Sequence, residues 1–333
     1  MDFFSTTFPL ARYKLRFRVV NEIQLASYAG SALRGAFGHA LMLLSGLEKS
    51  DIEQKNSVYI YSAYAAVFEP LANNGIGLLT SLSDRPVSYI IEAPVGGAKH
   101  YAVGDFLEFD IVLIDTALQH LGTIILAWRR ALMNGLGRNK AGKAELIEVL
   151  HCTQNGQISV YSEAHPILKP HDYTLNIPSY NQPQTLHLVF NTALRLQRKG
   201  KIVGLNELTP GLLLRNLIRR VSFYWQLLNP EKPLELDVQH LNSLADEVQG
   251  IKHLSLKKWR RYSSRQNNFM ELNGWQGHWL LQQVPSELLP FVWLGQFLHV
   301  GKNTSFGLGG YEISSEPWAE FEIENLIESK VKN

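Results

Sequence analysis

Strand-like and helix-like patterns run in the same order through both halves of this chain. The first half opens on "YKLRFRVV" (13–20), where apolar and polar residues alternate as on a strand. "YAGSALRGAFGHALMLLSG" (28–46) follows with the spacing of an amphipathic helix, at Leu33, Phe37, Ala40, Leu41 and Leu44. Then come "SYIIEAPV" and "FLEFDIVLID", both strand-like, the helical "ALQHLGTIILAWRRALM", a glycine-rich turn and the strand "AELIEVL". The second half repeats this with the strand "TLHLVFNTALRL" and the helix "TPGLLLRNLIRRVSFYWQLL", with Pro210 at its start, where a missing N–H does no harm. Strands follow to "GHWLLQQV", then the helix "SELLPFVWLGQFLHV" and the strand "GGYEIS".

Single residues match as well. Both first helices carry Gly-x-x-Leu-Arg (Gly30, Leu33, Arg34; Gly211, Leu214, Arg215), and both late loops carry Gly-basic-Asn (Gly137-Arg138-Asn139; Gly301-Lys302-Asn303). The doubled order predicts an α+β chain of two tandem ferredoxin-like (RRM-like) βαββαβ domains, antiparallel sheets with helices on one face. Residues 162–184 hold Pro166, Pro170, Pro178 and Pro183 with no sustained periodicity. They read as an extended linker between an N-terminal domain (1–161) and a C-terminal one (185–333).

Bulk properties narrow the class. A chain of 333 residues exceeds one ordinary core, which fits two domains. There is no apolar run of membrane-spanning length, and the N-terminal segment has no signal layout. The single cysteine, Cys152, rules out an internal disulfide and a cysteine-based zinc site. Together these point to a cytoplasmic protein with no membrane partner.

Net charge is only +2, but the basic residues cluster. Lys252, Lys257, Lys258, Arg260, Arg261 and Arg265 have no acid among them. Between Arg195 and Arg220 a second run, including Arg215, faces only Glu207. Either run alone reads as a solvated surface. Two in one half, with Trp259 and Tyr262 interleaved, favour a polyanion such as nucleic acid.

The glycine-rich stretches invite a nucleotide, and the patterns argue against one. "GRNKAGKA" (137–144) matches Gly-x-x-x-x-Gly-Lys but ends in Ala144, where a phosphate loop needs a Ser or Thr for magnesium, and it follows a helix instead of a strand. Neither loop has the Gly-x-Gly-x-x-Gly of a dinucleotide fold. "HVGKNTSFGLGGYEI" (299–313) has two readings: a backbone nest for an anion, or a tight helix-to-strand connection in which glycine supplies positive φ.

Three stretches carry a family resemblance: "YAGSALRGAFGHAL", "VYIYSAYAAVFEP" and, most specifically, "LLPFVWLGQFLHVGKNTSFGLGGYEI". In these the chain resembles the CRISPR precursor-RNA-processing endoribonucleases of the repeat-associated (RAMP) superfamily. The resemblance implies tandem ferredoxin-like folds, CRISPR repeat RNA or guide RNA as partner, other CRISPR effector subunits as further partners, and no cofactor. It also implies a metal-independent cut: the RNA's own 2′-hydroxyl attacks the adjacent phosphate, leaving a 2′,3′-cyclic phosphate and a 5′-hydroxyl. The alternative within the same superfamily is a non-catalytic subunit that grips guide RNA. A blander one is a ferredoxin-like pair for some other ligand. The chain departs from the similar branch in lacking cysteines after the first helix.

Helical geometry suggests where such a cut would occur. At 100° per residue, Leu33, Ala36, Phe37, Ala40, Leu41 and Leu44 face inward. Arg34 and His39 flank the opposite side, with the small residues Ser31, Gly35 and Gly38 between them. With the resemblance, that makes a shallow trough for a phosphodiester, with Arg34 for the developing charge and His39 as base or acid. Tight packing at the glycines beside a bystander histidine is the competing reading. His299, beside the glycine loop, is the second catalytic candidate. The candidate RNA contacts are Lys302, Asn303, Ser305, Gly307, Gly309 and Gly310 in the loop, Lys257, Lys258, Arg260 and Arg261 in the basic run, and Arg215.

Overall fold

The computed structural model describes residues 7–70, 86–97, 99–229, 236–263, 268–316 and 318. The chain divides into two units. The first holds residues 7–176 together with Ser305–Gly307, and the second holds 177–304 and the chain from Leu308 on.

In the first unit β1 (Thr7–Asn21) is the central strand. It is followed by α1 (Gly30–Leu44), β2 (Tyr89–Glu92), β3 (Phe106–Ile114), α2 (Leu121–Asn134), β4 (Lys143–Thr153) and β5 (Gly156–Ser162). The antiparallel sheet has the order β2-β3-β1-β4-β5. Its first four strands give the ferredoxin-like arrangement, and β5 extends it as a hairpin.

The alternation along β1 sorts its side chains. Tyr13, Leu15, Phe17 and Val19 join Leu33, Phe37 and Leu41 of α1 and Trp128 of α2 in one core. Phe37 stacks on Trp128 at 4.8 Å between ring centres, and Phe109 meets Trp128 edge-on at 4.8 Å. Such pairs are worth about 0.5–1.5 kcal/mol beyond the area they bury. The other face of β1 carries Arg12, Lys14, Arg16 and Arg18, each matched to acids: Glu92, Asp110, Glu108 with Glu148, and Glu163. That face is charge-compensated.

The segment expected as an extended linker is in part docked. Thr174–Asn176 pairs with Thr7–Pro9 of β1. The Tyr13 hydroxyl lies 2.8 Å from Nε2 of His171, whose Nδ1 lies 2.9 Å from the Lys169 carbonyl. A carbonyl only accepts, so Nδ1 carries the proton and the phenol donates to Nε2. Residues up to Asn176 therefore belong to the first unit, and the boundary falls inside the proline-rich stretch.

The second unit repeats the plan with β6 (Gln184–Leu194), α3 (Pro210–Leu228), β7 (Gln249–Lys257), β10 (Gly274–Val284), α5 (Leu289–Leu298) and β11 (Glu312–Ile313), in sheet order β7-β10-β6-β11. Inserted in this plan are α4 (Val238–Glu247) and the hairpin of β8 (Arg260–Ser263) and β9 (Asn268–Glu271). Pro210 sits in the first turn of α3, and the Thr209 hydroxyl caps the Leu212 amide. Helix α4 was not expected. Its signals were Asp237, which caps His240, and the spacing of Leu241 and Ala245. Both units are thus ferredoxin-like. No helix among the described residues is long and apolar enough to cross a membrane.

Candidate active site

Helix α1 carries the first candidates. His39 is exposed, and so is Gly35 one turn earlier, where an added Cβ would meet nothing within 4 Å. Residues four apart on a helix are neighbours, so the imidazole stands beside an uncovered stretch of backbone. The expected trough is shorter than three small residues, however. Gly38 is buried under Phe68, whose Cζ would lie 2.1 Å from a Cβ at that position. Gly38 is there for packing.

Arg34 does not stand free on a rim. Its guanidinium carbon lies 4.4 Å from the Phe68 ring centre and 5.1 Å from that of Phe306. Burial raises the hydroxyl pKa values of Tyr89 and Tyr64, and the Arg34 charge opposes both shifts. The cation therefore lies against the Phe68 and Phe306 rings, with the phenols of Tyr64 and Tyr89 near enough to feel its charge. The Tyr28 hydroxyl donates to the Phe306 carbonyl, and a Cβ on Gly30 would lie 2.0 Å from that same oxygen. Glycine at 30 is what admits the loop tip. The sequence reading missed Tyr28, Phe68 and Phe306, although Phe306 is the lone aromatic in "NTSFGLGG".

The glycine-rich loop resolves into two parts. Its later glycines are buried and jammed against backbone or ring: Gly307 on the Ile91 carbonyl, Gly309 on that of Val300, Gly310 on the imidazole of His299. They close the turn and present nothing to a ligand. His299 itself is 2% exposed at φ 55°, with Nδ1 3.2 Å from the Leu308 carbonyl. Enclosed in this way, it holds the turn and cannot reach a phosphodiester.

The earlier part is accessible. Lys302 is exposed, with Asn303 and Ser305 partly so, and the Lys302 amide is fixed by the Arg195 carbonyl at 3.0 Å. Arg220 of α3 secures the loop from below, donating to the Leu298 carbonyl (2.6 Å) and to the Thr304 hydroxyl (2.8 Å). The matching loop of the first unit shares two positive φ angles with it: Gly137 and Asn139 have φ of 75° and 58°, and Gly301 and Asn303 have φ of 95° and 64°. A short 3-10 turn follows each asparagine or includes it.

The basic runs divide similarly. Lys257 and Lys258 are exposed, while the side chains of Arg260 and Arg261 lie outside the described residues. Lys252 turns inward to the carbonyls of Leu205 and Leu208, and burial lowers its pKa. Arg215 is paired with Asp246 and is not a free contact for RNA.

Residues 188–311 match the family model of the CRISPR-associated endoribonuclease Cas6, and residues 8–173 match a family model described as an N-terminal domain. No curated protein matches the sequence. Among solved structures, a Cas6 from Thermus thermophilus is similar at TM-score 0.50 and 16% identity, over 92% of this chain and 99% of that one. A Cas6 product complex is similar at TM-score 0.51 and 14% identity, over 93% and 100%. A chain of a partial Cas6-RT-Cas1–Cas2 complex is similar at TM-score 0.54 and 16% identity, over 93% of this chain. This chain spans 46% of that longer one. At these identities the solved structures establish the shared fold.

Proposed function

We propose, from the match of residues 188–311 to the Cas6 endoribonuclease family, that this chain is an RNA-processing protein of that type and that it cuts CRISPR precursor RNA within its repeats without a metal ion. The RNA's 2′-oxygen attacks the adjacent phosphorus, and the bond from phosphorus to the 5′-oxygen breaks. The 2′-hydroxyl proton leaves to a base, and the departing 5′-oxygen gains a proton. His39 serves one of these transfers, as base or as acid. The observation that carries this reading is the exposed pairing of His39 with the open backbone at Gly35, which lets a phosphodiester come close to the imidazole. Arg34 is a positioning residue in this scheme, because its contact with the Phe68 and Phe306 rings orders α1 and the Phe306 tip.

Lys302, with Asn303 and Ser305 beside it, and the exposed Lys257 and Lys258 supply contacts to phosphates. The partners on this reading are repeat RNA and its guide-RNA product, together with other CRISPR proteins. The direct test is incubation of a repeat transcript with the protein in excess EDTA, with end-group analysis of the products. A 2′,3′-cyclic phosphate and a 5′-hydroxyl support the proposal. RNA that is bound but intact supports the non-catalytic RAMP subunit instead.

A further inference from the structure

In the second unit, α5, the start of β6 with Tyr180 before it, and Ile313 of β11 line a cleft of about 300 Å³. Tyr180 and Trp293 are its aromatic walls, Gln184 and Gln296 bring amides, and Leu186, Leu289 and Ile313 complete the lining with aliphatic side chains. None of the lining side chains is charged. The Gln296 amide is held in place: its Oε1 accepts from the Ile313 amide at 2.8 Å, and its Nε2 lies 3.3 Å from the Trp293 carbonyl. Gln184 is exposed at the mouth, with an amide that both donates and accepts. Trp293 is partly exposed. Burial raises the Tyr180 phenol, which keeps that wall neutral as well.

We infer that this cleft receives a single nucleobase turned out of the RNA strand. The inference rests on the RNA-processing reading above. A phosphate would find no compensating cation here, and a charged side chain would be desolvated without a partner. A nucleobase is flat, neutral and edged with donors and acceptors, which is what aromatic walls and two amides match. The volume is at the small end of ligand clefts and suits one ring system. None of these side chains belongs to the cutting machinery proposed for α1, so the cleft serves recognition.

The test uses CRISPR repeat RNAs from the protein's own genome, each lacking one base while keeping its ribose-phosphate. Binding constants are measured for the wild type, Trp293→Ala, Trp293→Phe and Gln184→Ala. At one position, loss of the base should weaken wild-type binding about five- to a hundredfold, the range for a stacked base. Trp293→Ala should lose a similar factor on intact RNA and lose nothing more when that base is absent, while Trp293→Phe keeps most of the affinity. Gln184→Ala should blunt discrimination among bases at that position. If Trp293→Ala binds like wild type, or if its loss adds to that of every missing base, the nucleobase is overturned, and a protein partner becomes the better occupant. Failure of the wild type to bind any repeat RNA would instead overturn the RNA-processing function itself.

Discussion

The guanidinium carbon of Arg34 stands 4.4 Å from the centre of the Phe68 ring, and the same ring closes over Gly38 one turn further along α1. One aromatic side chain thus anchors the helix at two points. A cation–π contact of this kind is worth about 0.5–2 kcal/mol depending on its desolvation. Arg34→Lys keeps the charge but loses the planar stacking. It should lower both the melting temperature and the cleavage rate. A slower cut with an unchanged melting temperature would instead mean that Arg34 touches the phosphate directly.

Two glycines of α1 should respond in opposite ways to alanine. At Gly30 the new methyl meets the Phe306 carbonyl at 2.0 Å, so Gly30→Ala should destabilise by about 1–3 kcal/mol, the usual cost of overpacking. At Gly35 it meets nothing, and the gain in helix propensity is about 1 kcal/mol. Gly35→Ala should therefore raise the melting temperature and, if the phosphodiester approaches there, slow the cut. Thermal melts and single-turnover rates on the same variants check both.

The exposed pair Lys257 and Lys258 should act through salt dependence. Replacing both with alanine should weaken RNA binding and flatten the slope of log K against log salt by about 0.7 for each phosphate no longer neutralised on single-stranded RNA. Titrations at several salt concentrations read this. An unchanged slope would make the pair an ordinary solvated surface.

His151 gives a pH signature. It is 7% exposed with Nδ1 buried and unbonded, and burial followed by the neighbouring His171 lowers its pKa. The folded state therefore binds this proton less readily than the unfolded chain, whose histidines titrate near about 6.5. The contribution to stability is full above that value and is lost as pH falls through it toward the lowered folded pKa. His278, lowered by burial and by His187 and His253, adds in the same direction. His151→Phe should leave the neutral-pH melting temperature equal or higher and reduce its fall between about pH 7 and 5. Melts across that range are the measurement.

Much of the architecture was legible because periodicity and glycine placement are local. The doubled element order appears in both sheets, and the shared Gly-basic-Asn motif corresponds to the same pair of positive φ angles in both loops. What was not legible depends on residues distant in sequence. Phe68 fills the space at Gly38, Asp246 takes up Arg215, and the Gly310 backbone encloses His299. Helical spacing places a residue on a face but does not say what covers that face. The docked half of the linker was missed for a similar reason, since its prolines signal extended backbone and extended backbone can also add to a sheet edge.

The cleavage scheme depends on His39. The most direct measurement compares single-turnover cleavage of repeat RNA by wild type and His39→Ala in EDTA, with binding of the same RNA measured in parallel. The scheme predicts unchanged affinity and a rate lower by about a hundred- to ten-thousandfold, the range for removing a general acid or base. A His39→Ala protein that binds the RNA and cuts it as fast as wild type would contradict it.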